Sequence, residues 1–106
     1  MTDKLKSCVF CNIEPGKYIV ADELFYAIPD HKPHCKGHTL IISKRHAENY
    51  FELNSEETAQ LQEIVLKVKA HLDEKYQPRG YRLLMNCGRA AGQQVFHFHL
   101  HLLPYY

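Results

Sequence analysis

Near its C-terminal end the chain reads Val-Phe-His-Phe-His-Leu-His-Leu-Leu over residues 95–103, and this run constrains the fold more than any other. Apolar and imidazole side chains alternate, and on a β-strand successive side chains point to opposite faces. Phe96, Phe98, Leu100 and Leu102 therefore share one face, fit for a core. His97, His99 and His101 share the other, about 6.6 Å apart at two residues' rise. A face that only meets solvent has no need of histidine; Thr, Lys, Glu or Ser serve as well. Three imidazoles in succession point to chemistry, and two kinds are open. They could hold a catalytic zinc with an open position, although ligands from one straight strand converge poorly on a point. Alternatively, one neutral imidazole attacks phosphorus through one ring nitrogen while the other donates to a carbonyl, and a neighbour binds the substrate's anion.

The remaining pattern sets this strand in an α+β frame. Residues 18–21 and 24–28 are short apolar runs parted by Asp22–Glu23 and read as a hairpin. Residues 29–37 (PDHKPHCKG) form a turn-rich loop, and 38–43 (HTLIIS) read as a strand. One short helical turn is expected within 46–51. Asn54 and Glu57 have the spacing of a capping box, and Leu61, Ile64, Val65, Val68 and Leu72 then make one helical stripe that runs to about Tyr76. Residues 81–86 read as a strand and 88–92 (GRAAG) as a glycine-bounded loop. The expected fold is a mainly antiparallel five-stranded sheet with one long helix and a short one, in one domain over residues 1–106.

Composition removes several classes. With 45% hydrophobic and 24% charged residues the chain is not disordered. A formal charge of +1 gives no broad field for nucleic acid. No apolar run approaches the about 20 residues of a membrane span, and MTDKLKSCVF lacks the apolar centre of a signal peptide. A reducing cytosol is the expected compartment, with neither membrane nor nucleic acid as partner. There, Cys8 and Cys11 at C-x₂-C spacing point to metal or redox chemistry, and as thiolates they supply half of a tetrahedral zinc site. Cys35 and Cys87 read as small core residues. His31, His34 and Cys35 read as solvent-facing loop residues, and His71 as solvated on the helix. Lys44–Arg45 is a basic pair that could steer phosphates, and Tyr105–Tyr106 could pack on a partner subunit.

His97–Phe98–His99–Leu100–His101–Leu102–Leu103 resembles the signature of the histidine triad (HIT) family, His-φ-His-φ-His-φφ. Cys8–Val9–Phe10–Cys11 followed by Ile13 resembles the N-terminal signature of bacterial members. Residues 37–46 (GHTLIISKRH) resemble the family's GH-x-L-V-I-P-K-x-H segment. Asn86, Gly88 and the Gly92–Gln93 pair resemble its phosphate-side loop. The resemblance implies an α+β domain, commonly a homodimer, that hydrolyses or transfers nucleotidyl groups at the α-phosphate of an AMP or GMP derivative. By the same resemblance His99 is the nucleophile, His101 contacts the phosphate and His38 lies near the catalytic centre. Asp30 binds ribose hydroxyls, and Phe10, Ile13, Ile28 and Leu40 line the base pocket. Asn86, Gln93 and Gln94 match phosphate-loop positions. Zinc-bearing members and the related galactose-1-phosphate uridylyltransferases imply a structural zinc on Cys8, Cys11, His46 and His97. The alternative is an unmetallated Cys pair with His97 bonded to His38.

Three departures stand out. Gln94 occupies a position usually Ser or Thr, His31 one that is often apolar, and the chain given ends at Tyr106 where many members continue in a tail. Nucleoside phosphoramidates, adenylates and dinucleoside polyphosphates all fit the implied chemistry. The competing readings are a nucleotide-binding interaction protein with little turnover and a zinc hydrolase built on all three triad histidines.

Overall fold

The computed structural model describes residues 7–106; the reading of residues 1–10 as lacking a signal sequence falls mostly outside that range. Five strands form one antiparallel sheet: β1 (Val20–Ala21), β2 (Phe25–Pro29), β3 (Thr39–Ser43), β4 (Gly80–Leu84) and β5 (His99–Tyr105), in spatial order β1-β2-β3-β5-β4. One long helix, α1 (Ser55–Tyr76), connects β3 to β4. It is not apolar enough to cross a membrane. The expected short helical turn is a 3₁₀ turn at Tyr50–Glu52, and three further ones occur at Val9–Cys11, Pro15–Lys17 and Arg89–Ala91. Runs of three residues carry too little periodicity to be read in sequence.

Helix α1 starts where its cap chemistry dictates. Asn54 Oδ1 accepts from the Glu57 N–H at 2.8 Å, and the Asn54 N–H donates to Glu57 Oε1 at 2.9 Å, which satisfies two of the donors a helix start leaves open. The helix ends at Gln77, whose φ of 55° is left-handed. Leu61, Ile64, Val68 and Leu72 press one stripe onto the sheet, where they meet Phe25, Ala27, Ile41, Phe98, Leu100 and Leu102. Truncating a residue as buried as Ile64 to Ala costs about 2–5 kcal/mol.

The opposite face of the sheet is also covered. Tyr26, Leu40 and Ile42 are buried there, and Phe10, Ile13, Tyr18 and Ile28 pack on them. Strand β3 is consequently buried at all five positions. His101 pairs with Leu40 and His99 with Ile42 in the β3–β5 ladder, so both imidazoles share the face away from α1. Gly37, at φ +89°, turns the chain into β3; a Cβ there would stand 3.0 Å from Pro104 and 3.1 Å from Tyr76. That close approach seats His38 beside β5.

Several expectations are corrected. The last strand begins at His99, not at residue 95, and runs on through Pro104 to Tyr105. The Phe98 N–H donates to Ala47 O at 2.6 Å rather than to β3, so the chain before His99 is claimed by the segment after β3. Phe96 therefore leaves the core face; it is partly exposed, with the Arg89 guanidinium 5.4 Å from its ring. Strand β4 ends at Leu84 rather than residue 86. Cys35 and Cys87 are partly exposed rather than core. Arg45 is no phosphate-steering group: Nε and Nη2 donate to Glu57 Oε2 and Oε1 at 2.9 and 2.8 Å, and Nη2 also donates to Glu52 O at 2.8 Å.

Candidate functional site

A groove of about 1010 Å³ opens on the sheet face away from α1. Its floor carries His99 and His101 of β5. One wall comes from residues 9–40 and includes Phe10, Ile13, Ile28, Asp30, His38 and Leu40; the other comes from residues 84–95 and includes Leu84, Asn86, Gly92 and Gln94. The Cys8–Cys11 turn brings Phe10 onto β5, its ring edge-on to that of His99 at 5.1 Å between centroids. Tyr26 Oη fixes the turn by donating to Phe10 O.

The two histidines on the floor hold opposite tautomers. His99 Nδ1 lies 2.8 Å from His97 O. A carbonyl only accepts, so Nδ1 carries the proton and, in the neutral ring, Nε2 keeps a lone pair. His38 Nδ1 accepts the His34 backbone N–H at 3.2 Å, which places the neutral His38 proton on Nε2. That N–H donates to His101 Nδ1 at 2.9 Å, and the His101 proton is therefore on Nε2. The assignment follows from the bonding partners. One ring thus offers a lone pair and its neighbour, 5.2 Å away, an N–H.

All these rings are held neutral near pH 7. Burial pushes His99 below the usual histidine range against the opposing pull of the His97 carbonyl and Asp30. Burial, then the neighbouring His99 and His38, push His101 down to about 4. Burial also lowers His38, with Asp30 opposing it. The 3.4 Å approach of His38 Nε2 to Asp30 Oδ2 is accordingly a dipolar contact and not an ion pair. The other Asp30 oxygen accepts the Lys32 N–H at 3.0 Å.

His97 belongs to a different cluster. It is fully buried, and its Nε2–H donates to Ser43 O at 2.6 Å. That bond turns the Nδ1 lone pair to Cys8 Sγ at 3.2 Å and Cys11 Sγ at 3.4 Å. His46 Nδ1 lies 3.2 Å from Cys11 Sγ. The four ligand atoms all fall within 4.8 Å of one another. Tetrahedral zinc spaces sulfur and nitrogen about 3.6 Å apart, and the partner carbonyl on the second ring nitrogen is the usual support of a metal-bound histidine. Cys8, Cys11, His46 and His97 could hold a metal ion, and their donor set fits zinc. His97 does not bond to His38, and it does not join His99 and His101 around one point. The unmetallated pairing and the three-histidine metal hydrolase both lose their geometry.

Gln93 is the other correction. It is buried; its Oε1 accepts the Gly88 N–H at 2.8 Å, and its Nε2–H₂ donates to the carbonyls of Glu48 and Val95. Every polar group of the side chain braces the loop, so Gln93 positions Gln94 without facing the groove. Gln94 itself is exposed on the wall. Asn86 also lines the groove, near Gly92. His31 and His34 are exposed but line the groove as well. His34 supplies the backbone N–H that sets the His38 tautomer, a role no side-chain pattern announces. His71 is solvated, as expected.

Comparison with known proteins agrees with this architecture. The family description "HIT domain" matches residues 12–106. "Protein hit" of Bacillus subtilis is 37% identical over 105 residues, spanning 95% of this chain and 72% of the relative. Adenosine 5′-monophosphoramidase hnt1 of Schizosaccharomyces pombe is 37% identical over 102 residues, 92% of this chain and 74% of that protein. Among solved structures, a HIT family protein from Bacillus anthracis superposes with a TM-score of 0.87 at 39% identity, covering 95% of this chain and 74% of that one. A HIT family hydrolase from Clostridium thermocellum gives 0.79 at 40% identity, covering 97% and 94%. A match across nearly all the described residues, with the triad running from His97 into the last strand at His99 and His101, makes this chain a member of the HIT family.

Proposed function

We propose that the chain is a nucleotide hydrolase or nucleotidyl transferase that works through a covalent nucleotidyl-His99. The observation that carries this reading is the opposite tautomer of two adjacent imidazoles in one groove. His99 Nε2, with its lone pair, attacks the α-phosphorus, and the His97 carbonyl stabilises the imidazolium that forms. His101 Nε2–H, the Asn86 amide and the Gln94 backbone N–H donate to the phosphoryl oxygens as charge builds there; the Gly92 and Gln93 N–H groups are already given to Arg89 O and Gly88 O. Asp30 accepts from the ribose hydroxyls, with His38 behind it. Phe10, Ile13, Ile28 and Leu40 pack the base. Water then breaks the P–N bond and restores His99. The substrate is an AMP or GMP derivative such as a phosphoramidate, an adenylate or a dinucleoside polyphosphate.

A structural zinc on Cys8, Cys11, His46 and His97 belongs to the same reading. Bound there, it would supply a fixed anchor and no chemistry at the phosphate. The chain's own residues carry that anchor to the nucleophile: His97 through its carbonyl, and Phe10 through its ring. The outer edge of β4 is unpaired among the described strands, and Leu83 and Met85 are exposed beside it. Such an edge invites a second copy of the chain, and we propose a homodimer formed there. No disulfide joins the four cysteines, in keeping with a cytosolic protein. The test is His99→Gly: turnover of every nucleotide derivative is lost while AMP still binds, as measured by calorimetry. Turnover at the wild-type rate in that variant refutes the reading.

A further inference from the structure

Tyr26 carries a hydroxyl where packing alone has no use for one. It stands in β2 at 2% exposure, in the patch it forms with Leu40 and Ile42 on the sheet face away from α1. A buried hydroxyl without a partner costs stability, and Leu or Phe would fill the same space. The partner here is main chain: Tyr26 Oη donates to Phe10 O. Tyr18 stacks on the ring, 4.3 Å between centroids and 18° from parallel, and so holds the direction of the phenol. Tyr26 neither lines the groove nor belongs to the four-ligand cluster.

The Phe10 carbonyl belongs to the peptide unit that joins Phe10 to Cys11, and the two side chains on that unit serve different sites. Cys11 Sγ enters the metal-binding cluster, 3.2 Å from His46 Nδ1 and 3.4 Å from His97 Nδ1. The Phe10 ring lies edge-on to His99 at 5.1 Å and to His97 at 6.0 Å between centroids. Strand register sets the same parts in a row. Tyr26 pairs with Ile42, and Ile42 with His99, so one line across β2, β3 and β5 runs from the phenol to the imidazole, and Phe10 packs on that patch. The turn itself is a three-residue 3₁₀ helix; its own backbone bonds run from the Cys11 N–H to Cys8 O at 3.2 Å and from the Asn12 N–H to Val9 O at 3.1 Å. A single helical turn does not hold its shape alone, so the peptide unit needs support from outside.

We infer that Tyr26 is a positioning residue for two sites at once: its hydroxyl fixes the Phe10–Cys11 peptide, which seats Cys11 among the metal ligands and the Phe10 ring against His99. The inference rests on the four-ligand reading of the cluster and on Phe10 as part of the nucleotide groove. Without the hydroxyl the Phe10 carbonyl loses this partner, the peptide unit turns, and both side chains leave their places together. One oxygen atom, outside the groove lining and outside the four ligands, thus sets both the metal affinity and the nucleotide affinity.

The test is Tyr26→Phe, which keeps the ring and its stack on Tyr18 and removes only the oxygen. Full-length wild type and variant are produced in cobalt-supplemented medium. The thiolate-to-cobalt charge-transfer band is recorded, and the metal is drawn off with a chelator of known affinity. AMP binding to the loaded protein is followed by calorimetry. Loss of an outer-shell partner typically weakens a metal about 10–100-fold, so the cobalt dissociation constant is expected to rise at least about tenfold, with the band shifted. AMP affinity is expected to fall about threefold to tenfold, the worth of one aromatic contact. Ile64→Val, in the core on the α1 side of the sheet, is the control for simple loss of stability: Tm falls and neither affinity changes. Unchanged cobalt affinity in Tyr26→Phe, an equal loss in Ile64→Val, or a wild-type chain that takes up no cobalt overturns the inference. Weaker cobalt binding with AMP affinity kept also overturns it, because the two sites then do not share the peptide. Wild type that binds AMP and forms nucleotidyl-His99 keeps the proposed function in each of these cases, so the two failures are told apart.

Discussion

The Arg45–Glu57 pair ties the start of α1 to the segment that carries His46, and Glu57→Gln tests that tie. Glu57 is only 3% exposed, while Arg45 is 34% exposed. The substitution keeps the side-chain volume but sets an amide N–H₂ or a neutral oxygen against a guanidinium. It also weakens the oxygen that accepts the Asn54 N–H. Breaking a fully buried ion pair costs about 3–5 kcal/mol; partial exposure of Arg45 reduces this to about 2–3 kcal/mol. For a chain of this length 1 kcal/mol moves Tm by about 4–8 °C, so Tm falls by roughly 10–20 °C. A thermal melt by circular dichroism reads it. Arg45→Met and the double variant complete a cycle, with a coupling of about 1–2 kcal/mol expected. The pH dependence has a fixed sign. Hydrogen bonding from Arg45 holds the Glu57 carboxyl below its usual value. Its stabilisation is therefore present above the unfolded carboxyl range near 4.3 and disappears as pH falls through the lowered folded value. Additive single-variant effects, or a Glu57→Gln protein whose acid sensitivity matches wild type, refute the reasoning.

Other perturbations reach the site from different sides. Gln93→Leu orphans the Gly88 N–H and removes two amide donors, and should cost about 2–4 kcal/mol in urea denaturation and lower kcat. Purified protein should contain about one zinc per chain by mass spectrometry of the metal, and Cys8→Ala should lose it together with Tm; a chain that never holds metal would contradict the four-ligand reading. Leu83→Arg on the β4 edge should turn a dimer into a monomer in analytical ultracentrifugation, and an unchanged sedimentation coefficient would remove that edge as the interface. Gly37→Ala, forced to φ +89° against Pro104, should be strongly destabilised and should lower activity by displacing His38.

Elements with a long or doubly marked pattern were legible in the chain itself. Helix α1 carries a stripe of five apolar positions and a reciprocal cap, and its limits at Asn54 and Tyr76 follow from those residues. The start of β5 was not legible. Val95 and Phe96 continue the alternation of the strand, but the Gln93 amide bonds the Val95 carbonyl and Ala47 takes the Phe98 N–H. These are long-range competitors that no local period records. The same is true at the site. Alternation places His99 and His101 on one face, yet their different roles depend on which carbonyl or N–H each ring meets, and those partners come from residues 34, 38 and 97. Arg45 shows the opposite error: a charge at the surface by composition is fixed by a buried carboxylate twelve residues away.

The most direct measurement is an alkaline denaturing quench during steady turnover of the p-nitrophenyl ester of AMP, followed by peptide mapping at alkaline pH, which preserves phosphoramidate bonds. An added nucleotidyl mass on His99 alone, formed and discharged at rates compatible with kcat, is the predicted result. Turnover with no adduct, or an adduct on His97, His101 or His38, would contradict the assignment of the lone pair to His99 Nε2.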